Sequence, residues 1–210
     1  MNPHPWMIWA LAAGLYLIFR LWYDNWRGPL RPHEVEAFVA RAEALWPQGL
    51  NDMTLIRRFL EQDDGREFFM FNLIRIRREP ATDPVSGKIR SGTDLMKHYF
   101  SVFAPTLIAG GGIPLLTYRK ISTYVDPLNV PADPGWSLVG LMRYRSRRDM
   151  MVLSTNAAFL QAHEYKMVAL THAMAFPTQP VSTLVAGPRV AVAGVLALAA
   201  ALTHLAWLTL

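Results

Sequence analysis

The histidines are the side chains best suited to acid–base or metal chemistry in this sequence, which contains no cysteine. His98, His163 and His172 show neither the HxH nor the HxxxH spacing that brings two imidazoles to one metal ion. Glu164 directly follows His163, and neighbouring side chains on a helix point about 100° apart, so these two cannot chelate together. The lack of cysteine excludes disulfides and thiolate catalysis. The sequence therefore predicts no bound metal.

The loops that hold phosphates, dinucleotides or a serine nucleophile are also absent from the sequence. Three glycines at positions 110–112 follow a predicted helix, which glycine ends, and no GxGxxG follows a predicted strand. No P-loop and no G-x-S-x-G motif occurs. The formal net charge of +5 is not accompanied by a basic stripe with interleaved aromatic residues. We therefore expect no cofactor and no nucleic-acid partner.

The strongest strand signal lies at residues 67–78, with the sequence EFFMFNLIRIRR. Both its even and its odd positions are nearly all apolar, a pattern that predicts a central strand covered on both faces. Asn72 is the one polar residue in its middle. We expect its side chain to bond a neighbouring backbone group.

The pattern around this strand predicts alternating strands and helices. Helices are expected at 32–46, 52–62, 94–109 and, in two pieces that meet near Asn156, 146–171; further strands are expected at 113–124, 135–144 and 172–187. Thr93 is the expected N-cap of the third helix, and Ser146 with Asp149 forms a capping-box pattern. Pro177 and Pro180 confine the last strand to a sheet edge. The resulting order, β-α-β-β-α-β, is typical of α+β ferredoxin-like folds.

Two segments are apolar enough to cross a membrane, residues 6–23 and residues 190–210. A cleaved signal peptide is the competing interpretation of the first, but nothing basic precedes Trp6 and no small-x-small cleavage site follows the apolar core. Arginines follow the first span and Arg189 precedes the second. The positive-inside rule therefore predicts a bacterial inner-membrane protein with both termini outside and a cytoplasmic central domain.

Five blocks of the sequence resemble successive landmarks of the DUF1330 family. They are FMFNLIRIR at 69–77, SGTDLMKHY at 91–99, GGGIPLL at 110–116, GWSLVGLMRYRS at 135–146 and AFLQAHEYKMVALTHA at 158–173. The resemblance covers roughly residues 67–180 and implies a homodimeric α/β barrel of the ferredoxin-like group. Two positions depart from the family pattern: Arg145 stands where family members tend to have Pro, and His172 where they favour Arg. The family has no generally established activity, so the resemblance implies a fold and an oligomeric state.

The four expected segments follow from these observations. Residues 1–26 form an N-terminal transmembrane helix, 27–66 a juxtamembrane helical segment, 67–186 the DUF1330-like domain and 187–210 a C-terminal transmembrane helix. The lipid bilayer is thus an expected partner, together with a second copy of the chain or another membrane protein.

Related barrels include cofactor-free monooxygenases and isomerases with sites between the sheet and its helices, and this analogy implies a set of candidate residues. They are Asn72, His98, Tyr99, Tyr118, Arg143, Tyr144, His163 and His172. A histidine would act as general base, and an arginine or asparagine would stabilise an enolate-like oxyanion. Each also has a structural interpretation, as a core edge, a sheet-rim charge or a solvated side chain.

Two functions fit the sequence. The first is a structural or interaction subunit at the inner membrane. The second is a cofactor-free enzyme or a binding protein for a lipophilic small molecule. A cavity in which Asn72 meets a histidine and an arginine would favour the second, and an interior filled by Phe, Met and Trp would favour the first.

Overall fold

A computed structural model describes residues 4–182 and 185–209, which divide into two compact units, Arg27–Gln179 and the two chain ends taken together. The helices are α1 Pro5–Tyr23, α2 Pro32–Leu45, α3 Met53–Glu61, α4 Gly92–Ala109, α5 Arg147–Ser154, α6 Ala157–Ala169 and α7 Pro188–Leu208. The strands are β1 Phe68–Ile76, β2 Ala81–Thr82, β3 Ile89–Arg90, β4 Ile113–Arg119, β5 Leu138–Tyr144 and β6 Leu170–Thr178.

Four of the strands form one antiparallel sheet in the order β4-β5-β1-β6, and β2 pairs with β3 in a small separate hairpin. The main elements follow the order β-α-β-β-α-β, so the expected α+β class is confirmed. β1 is central, as its apolar sequence predicts. Pro177 lies in β6, an edge strand, where its missing N–H leaves no gap in the ladder.

The expectation that β1 is covered on both faces is only half right within one chain. Phe68 and Ile74 are buried in the main core beneath α4 and α6. The opposite face of the sheet carries Phe71, which pairs with Leu141 and with Phe176 and so shares their face. Phe176 is 41 % exposed there. The apolar run in the sequence thus gives β1 two apolar faces, and the chain's own helices cover one of them.

The start of α4 differs from the prediction, because Ser91 rather than Thr93 is its N-cap. Ser91 Oγ accepts a hydrogen bond from the Asp94 backbone N–H and donates to the Asp94 carboxylate. Gly92 then forms the first turn in a tight place: a Cβ there would lie 2.6 Å from the Arg77 carbonyl oxygen and 3.1 Å from that of Ala169. Glycine is required at this junction of β1, α4 and α6 because backbone atoms leave no room for a side chain.

Other ends of strands also differ from the predicted ones. The described strands β4 and β5 are shorter than the stretches 113–124 and 135–144, because the Pro-, Asp- and Asn-rich loop between them takes the rest. β6 begins at Leu170, directly after α6, rather than at 172. The stretch 172–187 includes 183–184, and the predicted terminal segments include 1–3 and 210; these positions lie outside the described residues. Asn156 caps α6 through the backbone N–H groups of Ala158 and Phe159, as the broken-helix pattern predicts.

The helices α2 and α3 pack on α5 in the same compact unit as the sheet. Val39, Leu60 and Met151 form a second buried cluster. Arg148 in α5 is buried and donates to the Glu34 carboxylate at 3.0 and 3.2 Å and to the Gly28 carbonyl oxygen at 3.1 Å. The arginine next to Glu34 holds the pKa of that carboxyl at about 2.

The terminal helices α1 and α7 pair with each other. Trp9 Nε1 donates to His204 Nδ1 at 3.2 Å near one end, and Arg189 Nε donates to Asp24 Oδ1 at 2.7 Å near the other, so the two helices run antiparallel. Both are long and apolar enough to cross a membrane, and only 6 % of each apolar stretch is buried. The buried contact on α7 is made by Ala200, whereas Ala197 and Ala201 are exposed.

Candidate functional site: a cleft between the sheet and its helices

A cleft of about 860 Å³ opens between the helix-covered face of the sheet and the helices α3 and α6. A smaller cavity of about 110 Å³ lies under α4. The two cavities share five lining residues, namely Asn72, Ile74, Tyr144, Phe159 and Lys166. These residues therefore stand at the boundary between the larger, outer cleft and the smaller, inner cavity.

Asn72 projects from the middle of the central strand toward this boundary. Its Nδ2 donates to the Met70 carbonyl oxygen at 2.9 Å, two residues back on the same strand. Its register partner on β5 is Gly140, which has no side chain to fill the space opposite. The amide is thus held at one end by its own backbone in the wall of both cavities.

The helix α6 supplies the other polar groups. Phe159, His163 and Lys166 are four and three residues apart, a spacing that places them on one face of the helix. The His163 ring lies 5.6 Å from the Phe159 ring and 6.4 Å from the Tyr99 ring. Burial among these rings, with a smaller contribution from the charge of Lys166, lowers the pKa of His163 to about 4. The imidazole is therefore neutral near pH 7 and able to accept a proton.

Lys166 is the residue that the sequence interpretation missed. Its Nζ lies 5.8 Å from the centroid of the Tyr99 ring, and no ion pair joins it to any described residue. Burial lowers the pKa of this ammonium group. The one available signal in the sequence was its position three residues after His163 on a predicted helix.

Two buried tyrosines complete the site. The Tyr99 ring stacks on Phe103 at 5.2 Å, and the Tyr144 ring stacks on Phe68 at 5.3 Å. Burial raises the pKa of both hydroxyls, with a small additional effect of Tyr144 on Tyr99. Both hydroxyls therefore keep their protons at physiological pH.

Arg143, expected as a possible oxyanion-stabilising group, does not face the cleft. It is buried, its Nη2 lies 2.5 Å from Glu67 Oε1, and its guanidinium lies 5.4 Å from the Phe69 ring. Because Arg143 pairs with Phe69 in the register, it shares the opposite face of the sheet from Asn72. The basic side chain that lines both cavities is Lys166 instead.

The remaining candidates also lie away from the boundary. His98 is exposed and packs on Tyr165 with ring centroids 4.0 Å apart. His172 contributes to the outer rim of the cleft from the edge strand, and its Nδ1 lies 3.2 Å from Thr171 Oγ1. Tyr118 is 60 % exposed on β4. Of the eight candidates, the structure thus brings four together: Asn72, Tyr99, Tyr144 and His163.

The other charged groups of the outer cleft come from α3 and its N-cap. Asp52 caps α3 by accepting from the backbone N–H groups of Thr54 and Leu55, and Arg58 lines the cleft. Within residues 4–182 and 185–209, no three His, Asp or Glu side chains are grouped so that they could hold a metal ion. The arrangement combines an uncharged base, a lysine and two hydroxyl donors in an apolar wall. Such groups can bind and polarise an organic carbonyl or transfer a proton.

Comparison with known proteins gives a fold but no activity. No protein-family profile matches the chain, and no curated protein matches it in sequence. The crystal structure of the RPA0582 protein of unknown function from Rhodopseudomonas palustris is similar, with a TM-score of 0.53, 18 % identity and coverage of 66 % of this chain and 98 % of that chain. The crystal structure of methylated RPA0582 protein is similar at a TM-score of 0.52 and 17 % identity, covering 67 % and 97 %. At this identity, the likeness concerns the fold alone.

Proposed function

We propose that this protein is anchored in the membrane, binds a lipophilic small molecule in the cleft and acts on it without a cofactor. The observation that carries the proposal is the convergence of Asn72, Tyr144, His163 and Lys166 on the part of the cleft that apolar side chains such as Ile74 and Phe159 line, with Asp52 and Arg58 at its α3 end. A volume of about 860 Å³ lies within the range of small-molecule sites, which are mostly apolar with a few placed polar groups. A ligand of that kind would bury its apolar part against residues such as Phe159 and Met167.

The terminal helices support the membrane anchor. Their exposed surfaces carry large apolar side chains such as Leu11, Leu17, Leu198 and Leu205, each at least 60 % exposed. An apolar surface all around a pair of helices has no favourable contact with water and is suited to lipid. The arginines between the two helices support an inner-membrane topology with both termini outside and the central unit in the cytoplasm.

The proposal is tested with the full chain in mild detergent or in lipid nanodiscs. An environment-sensitive apolar fluorophore should bind with saturation, and mass spectrometry of the purified protein should identify co-purifying small molecules. Ala175 lines the cleft from an exposed position of β6, so Ala175→Trp should fill part of the cleft and weaken binding at least about tenfold. Val85→Trp is the matched control, because Val85 is 61 % exposed and lines neither cavity. Equal binding by wild type and Ala175→Trp would refute the cleft as the site.

We also propose that the open face of the sheet pairs with a second copy to form the ferredoxin-like dimeric barrel that the DUF1330 resemblance implies. Phe71 and Phe176 stack on that face with ring centroids 5.7 Å apart, and Met174 is 46 % exposed beside them. An apolar sheet face of this extent is typical of an interface rather than of a free surface. The order of strands in the sheet supports the same assignment.

The dimer is tested by light scattering on the detergent-solubilised chain. Phe176→Glu places a charge on the open face beside Phe71 and should yield monomers, whereas Val85→Glu should leave the dimer intact. A Phe176→Glu chain that keeps the wild-type mass would exclude this face as the interface.

An interaction subunit is the second candidate function, and the same open face favours it. In that case a different membrane protein would cover Phe71 and Phe176. Cross-linking in native membranes distinguishes the two, because a homodimer gives only self-linked peptides through β6, and an interaction subunit gives links to another chain.

A further inference from the structure

We propose that Lys166 forms a covalent imine with a lipophilic aldehyde or ketone bound in the cleft. This inference rests on the proposed small-molecule function and names the chemical class of its ligand. Lys166 stands at the boundary of the outer cleft and the inner cavity, where an apolar molecule would present its polar end.

The setting of Lys166 is unlike that of the other three lysines of the chain. Lys88 and Lys97 are exposed, and Lys120 is paired with Asp133. Lys166 has no ion-pair partner among the described residues, and its Nζ lies 5.8 Å from the centroid of the Tyr99 ring. Lysine acts as a nucleophile in its uncharged amine form. Desolvation favours that form, and a paired carboxylate would oppose it.

The neighbours of Lys166 supply the proton transfers that imine formation needs. The amine lone pair attacks the carbonyl carbon, and the C=O electron pair moves to oxygen. A proton passes from nitrogen to oxygen to give a carbinolamine. Its nitrogen then loses the remaining N–H proton, its hydroxyl takes up a proton and leaves as water, and the C=N bond forms. No oxidant or reductant is consumed, and water reverses the reaction.

Each of these steps has a group of the right type at the boundary. His163 lies one turn before Lys166 in the outer cleft, and its neutral imidazole can relay the proton: one ring nitrogen accepts from the attacking nitrogen while the other donates its N–H proton toward the carbonyl oxygen. Tyr144 and Asn72 line both cavities, and a tyrosine hydroxyl or a side-chain amide N–H is the type of donor that polarises a carbonyl oxygen. Other charged groups of the cleft, Asp52 and Arg58, come from α3 at its outer part.

The test is reductive trapping on the full chain in detergent. The protein is incubated with hexanal and cyanoborohydride near neutral pH, and the modified lysines are located by peptide mass spectrometry. Lys166 should be alkylated at least about tenfold faster than Lys88 or Lys97, since binding in the cleft raises the local concentration of the aldehyde. Free hexanal should also displace the apolar fluorophore.

Controls separate this inference from the binding function. Lys166→Met removes the amine and should abolish the fast alkylation, whereas Val85→Trp, which lies outside both cavities, should keep both fluorophore binding and fast alkylation of Lys166. If the fluorophore binds, hexanal displaces it and Lys166 is labelled no faster than Lys97, the imine is excluded while the binding function stands. If the fluorophore does not bind at all, the binding function fails by its own assay. The comparison of the four lysines within the wild-type chain decides the imine even if the Met variant does not fold.

Discussion

The clearest test of the buried site is the loss of stability in mild acid that His163 should cause. Burial and the nearby Lys166 lower its pKa from 6.5 to about 4 in the folded chain. The unfolded chain therefore binds a proton at this histidine between roughly pH 6.5 and pH 4, where the folded chain does not. The contribution of His163 to stability is complete above pH 6.5 and falls as the pH drops through this window.

The size of the effect follows from the two pKa values. Proton linkage gives a loss of about 2 kcal/mol between about pH 7.5 and pH 5, and about 3 kcal/mol by pH 4. For a chain of this size, 2 kcal/mol corresponds to a fall of roughly 4–8 °C in the unfolding midpoint. Glu34 also loses its stabilising contribution in acid, but at lower pH than His163, because its folded-state pKa is about 2.

The assay is unfolding of the full chain in mild detergent, followed by near-ultraviolet circular dichroism at a series of pH values. His163→Gln removes the titration while keeping a polar side chain of similar size. The difference between wild type and His163→Gln at about pH 7.5, minus the same difference at about pH 5, should be about 2 kcal/mol. A value below about 0.5 kcal/mol would mean that His163 is solvated in the folded chain, and the description of the cleft as apolar would be wrong.

Three further outcomes are expected. Gly92→Ala should lower the free energy of unfolding by about 2–3 kcal/mol, because the added methyl group meets the Arg77 carbonyl oxygen. Gly110→Ala, at the other end of the same helix, should change it by less than about 0.5 kcal/mol. Urea unfolding measures both variants. Arg148→Met should lower the free energy of unfolding by about 3 kcal/mol at neutral pH, because it leaves Glu34 without its main partner. The difference from wild type should shrink in acid as Glu34 is protonated. An unchanged urea midpoint at neutral pH would contradict this. A tag at either terminus should be accessible to protease added outside the cytoplasmic membrane, and a protected C-terminal tag would overturn the proposed topology.

The sheet was predictable because its strands carry strong and local signals. β1 is apolar at both its even and its odd positions and is central in the sheet, and Pro177 marks the edge strand. Helix starts were predictable to within a few residues: Ser91 and Thr93 are both good caps, and the choice between them depends on the backbone of β1 and α6 closing around Gly92. That packing involves residues distant in the sequence, so no local pattern shows it.

The site was only partly predictable from the sequence, and one error of that prediction, the inclusion of Arg143 together with Tyr144, could have been avoided. Arg143 and Tyr144 are adjacent in a strand, so they point to opposite faces and cannot both line one cavity. The same alternation, combined with the register, assigns Tyr144 to the face of Asn72 and Arg143 to the open face. Lys166 was missed for a different reason. Its chemistry comes from desolvation by β1, β5 and α4, and the sequence around it reads as an ordinary solvated helix position.

The uncharged state of the buried groups explains why an apolar carbonyl compound suits this cleft better than a salt or a phosphate. His163 and the two tyrosines are neutral near pH 7, and the arginine that could have bound an anion is occupied by Glu67 on the other face. Arg58 lines the outer cleft only, so an anionic ligand at the boundary of the two cavities would have to give up its hydration for a single lysine whose own charge is disfavoured by burial. A neutral ligand has no such cost, and reaction with the amine of Lys166 would add a covalent bond to the contacts of its apolar part. The same ligand would dissolve in a bilayer, which is where the helices α1 and α7 would hold the protein.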